Sequence, residues 1–297
     1  MTPADAVRFD KVSVRRSGLP ILDEVSAVVP RGGCTVIVGP NGAGKTTLID
    51  ILCGVTHRTD GEVTYFGDSR DISDPNLRER IGYCASSAFF PLGFTAKDIA
   101  VSMEIAYKSF DRAKFAELCE KFEVDSENTK KPRPMHKQSD GNRMRTCLAS
   151  VFARSTELLV LDEPGSSLDP LMRDRLCDRM REYLDDGDGR KSIIFSTHNI
   201  ADMENAADYA VFMDKGHVIE QGFIEELKEK YIVVSGDAEN WEQAKSLLMS
   251  GSHNRTTFDG LALSENSEAL AALNAETAAP TLQQLSVGLL KYAEEHR

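Results

Sequence analysis

Eight consecutive residues limit what this chain can fold into more than any other feature. Gly39, Pro40, Asn41, Gly42, Ala43, Gly44, Lys45 and Thr46 fit the pattern G-x-x-x-x-G-K-[ST] in full, and Thr47 follows them. Residues 34–38 just before form a short apolar run, as a buried strand does. Residues 46–53 just after carry Leu48, Ile49, Ile51 and Leu52 at helical spacing, and Gly54 is placed to stop that helix. Glycines let the backbone curl so that successive N–H groups face a phosphate, and the helix adds the positive end of its dipole. In such a loop Lys45 reaches the β- and γ-phosphates and Thr46 offers its hydroxyl to Mg2+. A chance glycine turn would not need both flanking elements.

A second constellation lies further along. Leu158, Leu159, Val160 and Leu161 run into Asp162, Glu163 and Pro164. A buried strand ending in adjacent carboxylates presents them at its carboxyl edge, where α/β sheets bind ligands. Asp162 is then placed to hold Mg2+ from the second shell, and Glu163 to orient and deprotonate a water. Taken alone, an Asp-Glu pair is an ordinary solvated strand end; beside the glycine loop it reads as catalytic. His198, in Ser196, Thr197, His198, Asn199, also follows an apolar strand and stands within reach of a γ-phosphate. A lone histidine is more often a loop or core residue.

Apolar strands alternating with helices argue for an α/β core of mainly parallel strands, with a helical insertion at about residues 90–155. Residues 211–213 and 217–219 around Lys215 and Gly216 read as a hairpin. Composition shifts near residue 230. Beyond it the pattern predicts strands over 231–234 and 255–263 and helices over 241–249, 267–275 and 281–296. Two units result, 1–229 and a small accessory extension, 230–297.

Composition narrows the function. A 41% hydrophobic content supports a core and excludes wholesale disorder. The formal net charge of −12 repels phosphate backbones, so nucleic acid is not an expected partner. The six cysteines are dispersed, with no C-x-x-C pair, and read as small buried hydrophobes rather than zinc ligands or disulfides. No apolar run approaches the ~20 residues of a membrane crossing. The first residues lack the basic end and apolar stretch of a signal peptide, so the expectation is a soluble, cytoplasmic chain.

The order of these residues resembles that of the ATP-binding subunit of ABC transporters, over about residues 7–225. The matching features run glycine loop, helical insertion, signature, Asp-Glu strand, the Ser167, Leu168, Asp169 loop, then His198. The resemblance implies an ABC-type P-loop NTPase of the α/β class. Its parts would be an N-terminal antiparallel β-subdomain, a helical subdomain and a small α+β C-terminal extension. It implies ATP and Mg2+ as cofactors and a sandwich dimer, homodimeric or heterodimeric. Each site of that dimer borrows the partner's signature, and Asp169 lies on the loop crossing the interface. It also implies attachment to the inner face of the membrane through an integral membrane permease. Pro280, Thr281, Leu282, Gln283, Gln284 and Leu285 are similar to the tails of bacterial exporter ATPases. The segment Phe89, Phe90, Pro91, Leu92, Gly93, Phe94 is either the permease contact or core of the helical insertion.

Three positions depart from the family pattern. Where the family has Leu-Ser-Gly-Gly-Gln, this chain has Gln138, Ser139, Asp140, Gly141 and Asn142. Ser139 and Gly141 keep a hydroxyl and one close-approach glycine. Asp140, aimed inward, would repel the partner-bound γ-phosphate: like unit charges ~5 Å apart at an effective dielectric of ~20 cost ~3 kcal/mol. Aimed at solvent it costs almost nothing, and Lys130, Lys131, Arg133, Lys137, Arg143 and Arg145 stand nearby in sequence. The adenine-stacking aromatic is replaced by Arg16, whose planar guanidinium can also stack. The glutamine beneath the γ-phosphate is replaced by Ser86, which needs a water to reach Mg2+. Slow or partner-dependent hydrolysis is the expectation. The alternatives are a regulatory half of a heterodimeric exporter and a soluble ABC clamp such as a cluster-assembly ATPase.

Overall fold

The structure is a computed structural model and describes residues 5–68, 71–87, 90–124, 133–198, 200 and 203–296. Phe89, Lys130, Lys131 and Asn199, named above, lie outside the described residues. The chain opens with strands β1 (Val7–Arg16) and β2 (Leu19–Val29), followed by β3 (Cys34–Val38). Helix α1 (Lys45–Leu52) leaves the glycine loop. Then come β4 (Asp60–Tyr65), α2 (Pro75–Arg80) and β5 (Ile81–Cys84). Three helices make the insertion: α3 (Ala96–Ala106), α4 (Arg112–Lys121) and α5 (Asp140–Phe152). The core resumes with β6 (Leu158–Asp162), α6 (Pro170–Asp185), β7 (Ser192–Thr197), β8 (Tyr209–Asp214) and β9 (His217–Phe223).

The central sheet has the order β5-β6-β7-β3-β8-β9, parallel except for the β8–β9 hairpin. Its inner strands read as unbroken apolar runs because both faces are covered; Leu158 to Leu161 and Ile193 to Phe195 have no exposed surface. Strands β2, β1 and β4 form the antiparallel N-terminal sheet, and Gln221 of β9 accepts from the Val28 amide of β2 at 3.0 Å to tie it on. The insertion helices are started by side chains that accept from free amides: Thr95 for α3, Asp111 for α4 and Ser139 for α5.

After the core, α7 (Ile224–Lys230) leads into β10 (Tyr231–Asp237), α8 (Trp241–Ala244), β11 (Ser250–His253) and β12 (Thr257–Leu263). Then follow α9 (Ser267–Ala271), β13 (Glu276–Ala278) and α10 (Leu282–Glu295). The four strands make one antiparallel sheet of order β11-β12-β10-β13. Two expected helices are shorter than the pattern suggested. Over 241–249, α8 ends at Ala244, because the Met249 amide already bonds Leu261 O and begins the β11 ladder. Over 267–275, α9 ends at Ala271, and Asn274 takes a left-handed φ of 57° that turns the chain toward β13. Val234, Ala244, Phe258, Ala262, Leu270 and Ala275 form a small local core. Leu282, Leu285 and Leu289 of α10, with Leu261 and Tyr231, instead join the main core. The extension is therefore stapled to the main core by its last helix, whose Leu282 amide donates to Glu204 Oε1 at 2.9 Å.

Candidate functional site

Three adjacent parallel strands deliver the site. β3 ends into the glycine loop, β6 ends at Asp162, and β7 ends at Thr197 before His198, so all three motifs emerge at one carboxyl edge. The register aligns Val38 with Thr197 and Asp162 with Ser196. A cleft of about 450 Å3 opens there, lined by Asn41 through Thr47, Ser86, Glu163, Ser166, His198 and Ile21.

At the loop, Gly44 precedes α1 with φ 101°, and an added Cβ would lie 2.5 Å from Leu22 Cδ2, so only glycine fits. Among the described residues no side chain caps α1 and no acid stands in its first turn, so its leading amides are left for an anion. Lys45 is buried. Its Nζ donates to Gly39 O at 2.8 Å and Pro40 O at 3.1 Å and lies 3.6 Å from Glu163 Oε1.

The carboxylates are held from several sides. Thr46 Oγ1 donates to Asp162 Oδ2 at 3.0 Å, and Ser196 Oγ donates to Asp162 Oδ1 at 2.5 Å. Glu163 sits at φ 50°, a left-handed conformation uncommon for a non-glycine residue and frequent at functional sites. Its amide donates to Ser196 Oγ at 2.9 Å, and its carbonyl accepts from Ser166 Oγ at 2.9 Å. The turn aims the carboxylate at the cleft, where His198 Nδ1 meets Glu163 Oε2 at 2.7 Å. Lys45, the Thr46 hydroxyl, the Glu163 carboxylate and uncapped helix amides line one cleft, with the buried Asp162 carboxylate bonded to Thr46 behind them; this donor set fits a nucleoside triphosphate with a hard divalent cation.

The other residues singled out from the sequence lie elsewhere. Arg16 ends β1, exposed and opposite Leu19, and is not among the residues lining the cleft; Ile21 stands there instead. The Arg16 charge reaches Asp50, whose carboxyl is nonetheless raised by burial, with the Asp162 charge adding to the rise. Ser139 caps α5, accepting from the Asn142 amide at 3.2 Å, and Asp169 caps α6, accepting from the Met172 amide at 3.0 Å. A Cβ on Gly141 would lie 2.7 Å from Ser167 O, so this glycine lets the signature helix approach the Ser167, Leu168, Asp169 loop of the same chain. Arg173 braces that loop, its Nε donating to Gly165 O and Leu168 O at 3.0 Å each.

Asp140 points to solvent, 83% exposed, with Arg143 Nη1 3.4 Å away. The altered ends of the signature pair with each other: Asn142 Nδ2 donates to Gln138 Oε1 at 2.6 Å, and Gln138 Nε2 donates to Arg133 O at 2.7 Å, both side chains being buried. Sequence reading missed Ser196, Ser166 and Arg173 as parts of the site. The available signal for Ser196 was a hydroxyl ending a run of Ile193, Ile194 and Phe195.

A mixed α/β core with a glycine loop and a carboxylate pair at one sheet edge defines a P-loop NTPase. The match to known proteins is narrower: the ABC transporter family matches residues 22–166. The energy-coupling factor transporter ATP-binding protein EcfA of Carboxydothermus hydrogenoformans is 31% identical over 217 residues, 69% of this chain and 76% of that protein. The Nod factor export ATP-binding protein I of Rhizobium meliloti is 29% identical over 218 residues, 73% of this chain and 64% of that one. A solved ATP-binding subunit of an ABC transporter shares the fold, with a TM-score of 0.64 at 24% identity, over 75% of this chain and 92% of its own. The chain belongs to the ATP-binding subunits of the ABC transporter family and is an ATPase of that family.

Proposed function

We propose that this chain hydrolyses ATP with Mg2+ to power export through a separate integral membrane permease, as one half of a nucleotide-sandwich dimer at the inner face of the membrane. The observation that carries the ATPase part is the meeting of Lys45, Glu163 and His198 in one cleft with the glycine loop. In this reading Lys45 exchanges its loop carbonyls for phosphate oxygens, which offer a stronger charge-assisted bond. Thr46 and Ser86 of the cleft, with Asp162 behind Thr46, would hold Mg2+, and Gly39 through Thr47 would bind the phosphates. When bound, the ion supplies positive charge to the β- and γ-phosphate oxygens. Glu163 orients the attacking water and takes its proton, while His198 fixes the carboxylate rotamer and reaches the γ-phosphate. Ser139, Gly141 and Asp169 act across the dimer on the partner's nucleotide. Arg16 remains the candidate to stack on adenine.

For coupling to a permease, the support is the position of the 90–94 segment. Phe90 and Phe94 pack against the main core while Leu92 is 55% exposed, so one strip serves both as core and as a projecting edge. It borders a groove of about 500 Å3 between insertion and core, lined by Phe90, Met103, Tyr107 and Tyr83. No helix among the described residues is long and apolar enough to cross a membrane, which fits a spanning subunit on another chain. Export is favoured over import by the Nod factor export relatives and by the exporter-like tail at Pro280 to Leu285, which opens α10. The intact Asp162 and Glu163, held beside Thr46 and Lys45, favour a working ATPase over a purely regulatory half.

Purification of the tagged chain from its own cells in mild detergent tests this. Co-purification of an integral membrane subunit supports the exporter. A second, non-identical ATPase in the same complex selects the heterodimer. A homogeneous complex without a membrane subunit would overturn the transport reading in favour of a soluble clamp.

A further inference from the structure

The apolar, fully buried strand β7 ends its run with a hydroxyl. Ser196 has no exposed surface, and the register sets it between Ile37 of β3 and Asp162 of β6. Its single O–H donates to Asp162 Oδ1 at 2.5 Å, and its oxygen accepts from the Glu163 amide at 2.9 Å. One small side chain thus joins the carboxylate assigned to the cation to the backbone of the residue assigned as base.

We propose that Ser196 is a positioning residue for ATP hydrolysis, acting through Asp162 and Glu163 without touching the nucleotide; this rests on the reading of the site given above. Two constraints support it. Asp162 also accepts from Thr46, whose oxygen is needed by the cation, and once Thr46 turns to that cation Ser196 is the side-chain donor left, among the bonds described, to hold the carboxylate's rotamer. Glu163 sits at φ 50° and its amide is bonded to Ser196, so the hydroxyl helps to pin the backbone from which Oε1 stands 3.6 Å from Lys45 and Oε2 meets His198. An alanine at this place would keep the strand's apolar run. It would leave a buried carboxylate oxygen and a buried N–H without this partner.

The test compares Ser196→Ala and Ser196→Thr in the full chain with whatever partners co-purify. Turnover is read as phosphate release, and nucleotide affinity is read without metal. Cation affinity is read by electron paramagnetic resonance of Mn2+ titrated onto the ADP-loaded protein. Ser196→Ala is expected to lose about tenfold in kcat and to need several-fold more Mn2+, with metal-free ATP affinity within about twofold of wild type. Ser196→Thr keeps the hydroxyl and should retain at least about half of the turnover and the wild-type Mn2+ titration. Should Ser196→Ala fail to fold, Ser196→Cys, close in size and only a weak donor, carries the same comparison. Wild-type kcat and Mn2+ dependence in the alanine variant would overturn the inference, as would a threonine variant as impaired as alanine. A wild-type protein that neither binds ATP nor releases phosphate would instead remove the reading of the site itself.

Discussion

Two polar clusters in this molecule depart from an apolar background in opposite ways. At the ends of β6 and β7, Thr46, Asp162, Ser196, Glu163 and His198 bond to one another, yet leave Lys45, Thr46 and Glu163 open to a cleft. At the start of α5, Gln138, Ser139 and Asn142 turn inward on each other, and Asp140 turns out to solvent. The first cluster holds Thr46, Asp162, Glu163 and His198 of the family pattern; the second has lost three of five. Buried residues that satisfy each other can be exchanged as a set. Gln138 and Asn142 illustrate this, because each fills the hydrogen-bonding need created by burying the other.

The largest loss is expected at Lys45→Ala, which removes the buried ammonium that would pair with phosphate. ATP affinity should fall by about tenfold to a hundredfold, and turnover with it. Isothermal titration checks this, and unchanged affinity would place the nucleotide elsewhere. Asn142→Ala leaves Gln138 without its side-chain partner in a buried site, a cost of about 1–3 kcal/mol, visible as a lower midpoint in thermal unfolding. Gln138→Leu combined with Asn142→Ala should cost less than the sum of the single changes. Strict additivity would mean that the two do not act as a unit.

Asp140→Gly restores the family residue at a solvent-facing position, so turnover should change by less than about twofold. A large gain would show that the acid swings inward during closure and would erase the contrast between the clusters. Smallest is Glu157→Gln. Its carboxyl is held below the ordinary 4.5 chiefly by the hydrogen bond from Arg80, with the charges of Arg80, Arg31 and Arg190 adding to the effect. For a lowered carboxyl the stabilisation is present above the ordinary value and is lost as pH falls through the folded one. The variant should therefore be slightly less stable than wild type at neutral pH and should converge with it as pH falls below 4.5 and through the lowered folded value, as denaturant titrations at neutral and acid pH would show.

What was legible in the sequence follows the same division. The glycine loop, the Asp162–Glu163 strand end and the hairpin at Lys215 and Gly216 are local patterns whose physics is complete within a few residues. Lys215 and Gly216 indeed take φ 46° and 83°, the pair of left-handed residues that a two-residue hairpin turn requires. Ser196 was hidden because its meaning depends on a neighbouring strand 34 residues away in sequence. Arg173 was hidden for a similar reason: its guanidinium bonds backbone carbonyls, which no side-chain pattern advertises. The short α8 and α9 were misjudged because helical spacing cannot foresee the sheet ladder at Met249 or the turn at Asn274. Nor did spacing show that α10 packs on the ATPase core, since apolar residues at 282, 285 and 289 fit either a local or a distant partner.

The central claim is that Glu163, held between Lys45 and His198, is the base that activates water on a bound nucleotide. Measured side by side for wild type and Glu163→Gln, ATP affinity and phosphate release test it most directly. The account predicts affinity within about twofold of wild type and phosphate release lower by about a hundredfold or more. Phosphate release at the wild-type rate in the Glu163→Gln protein would contradict it.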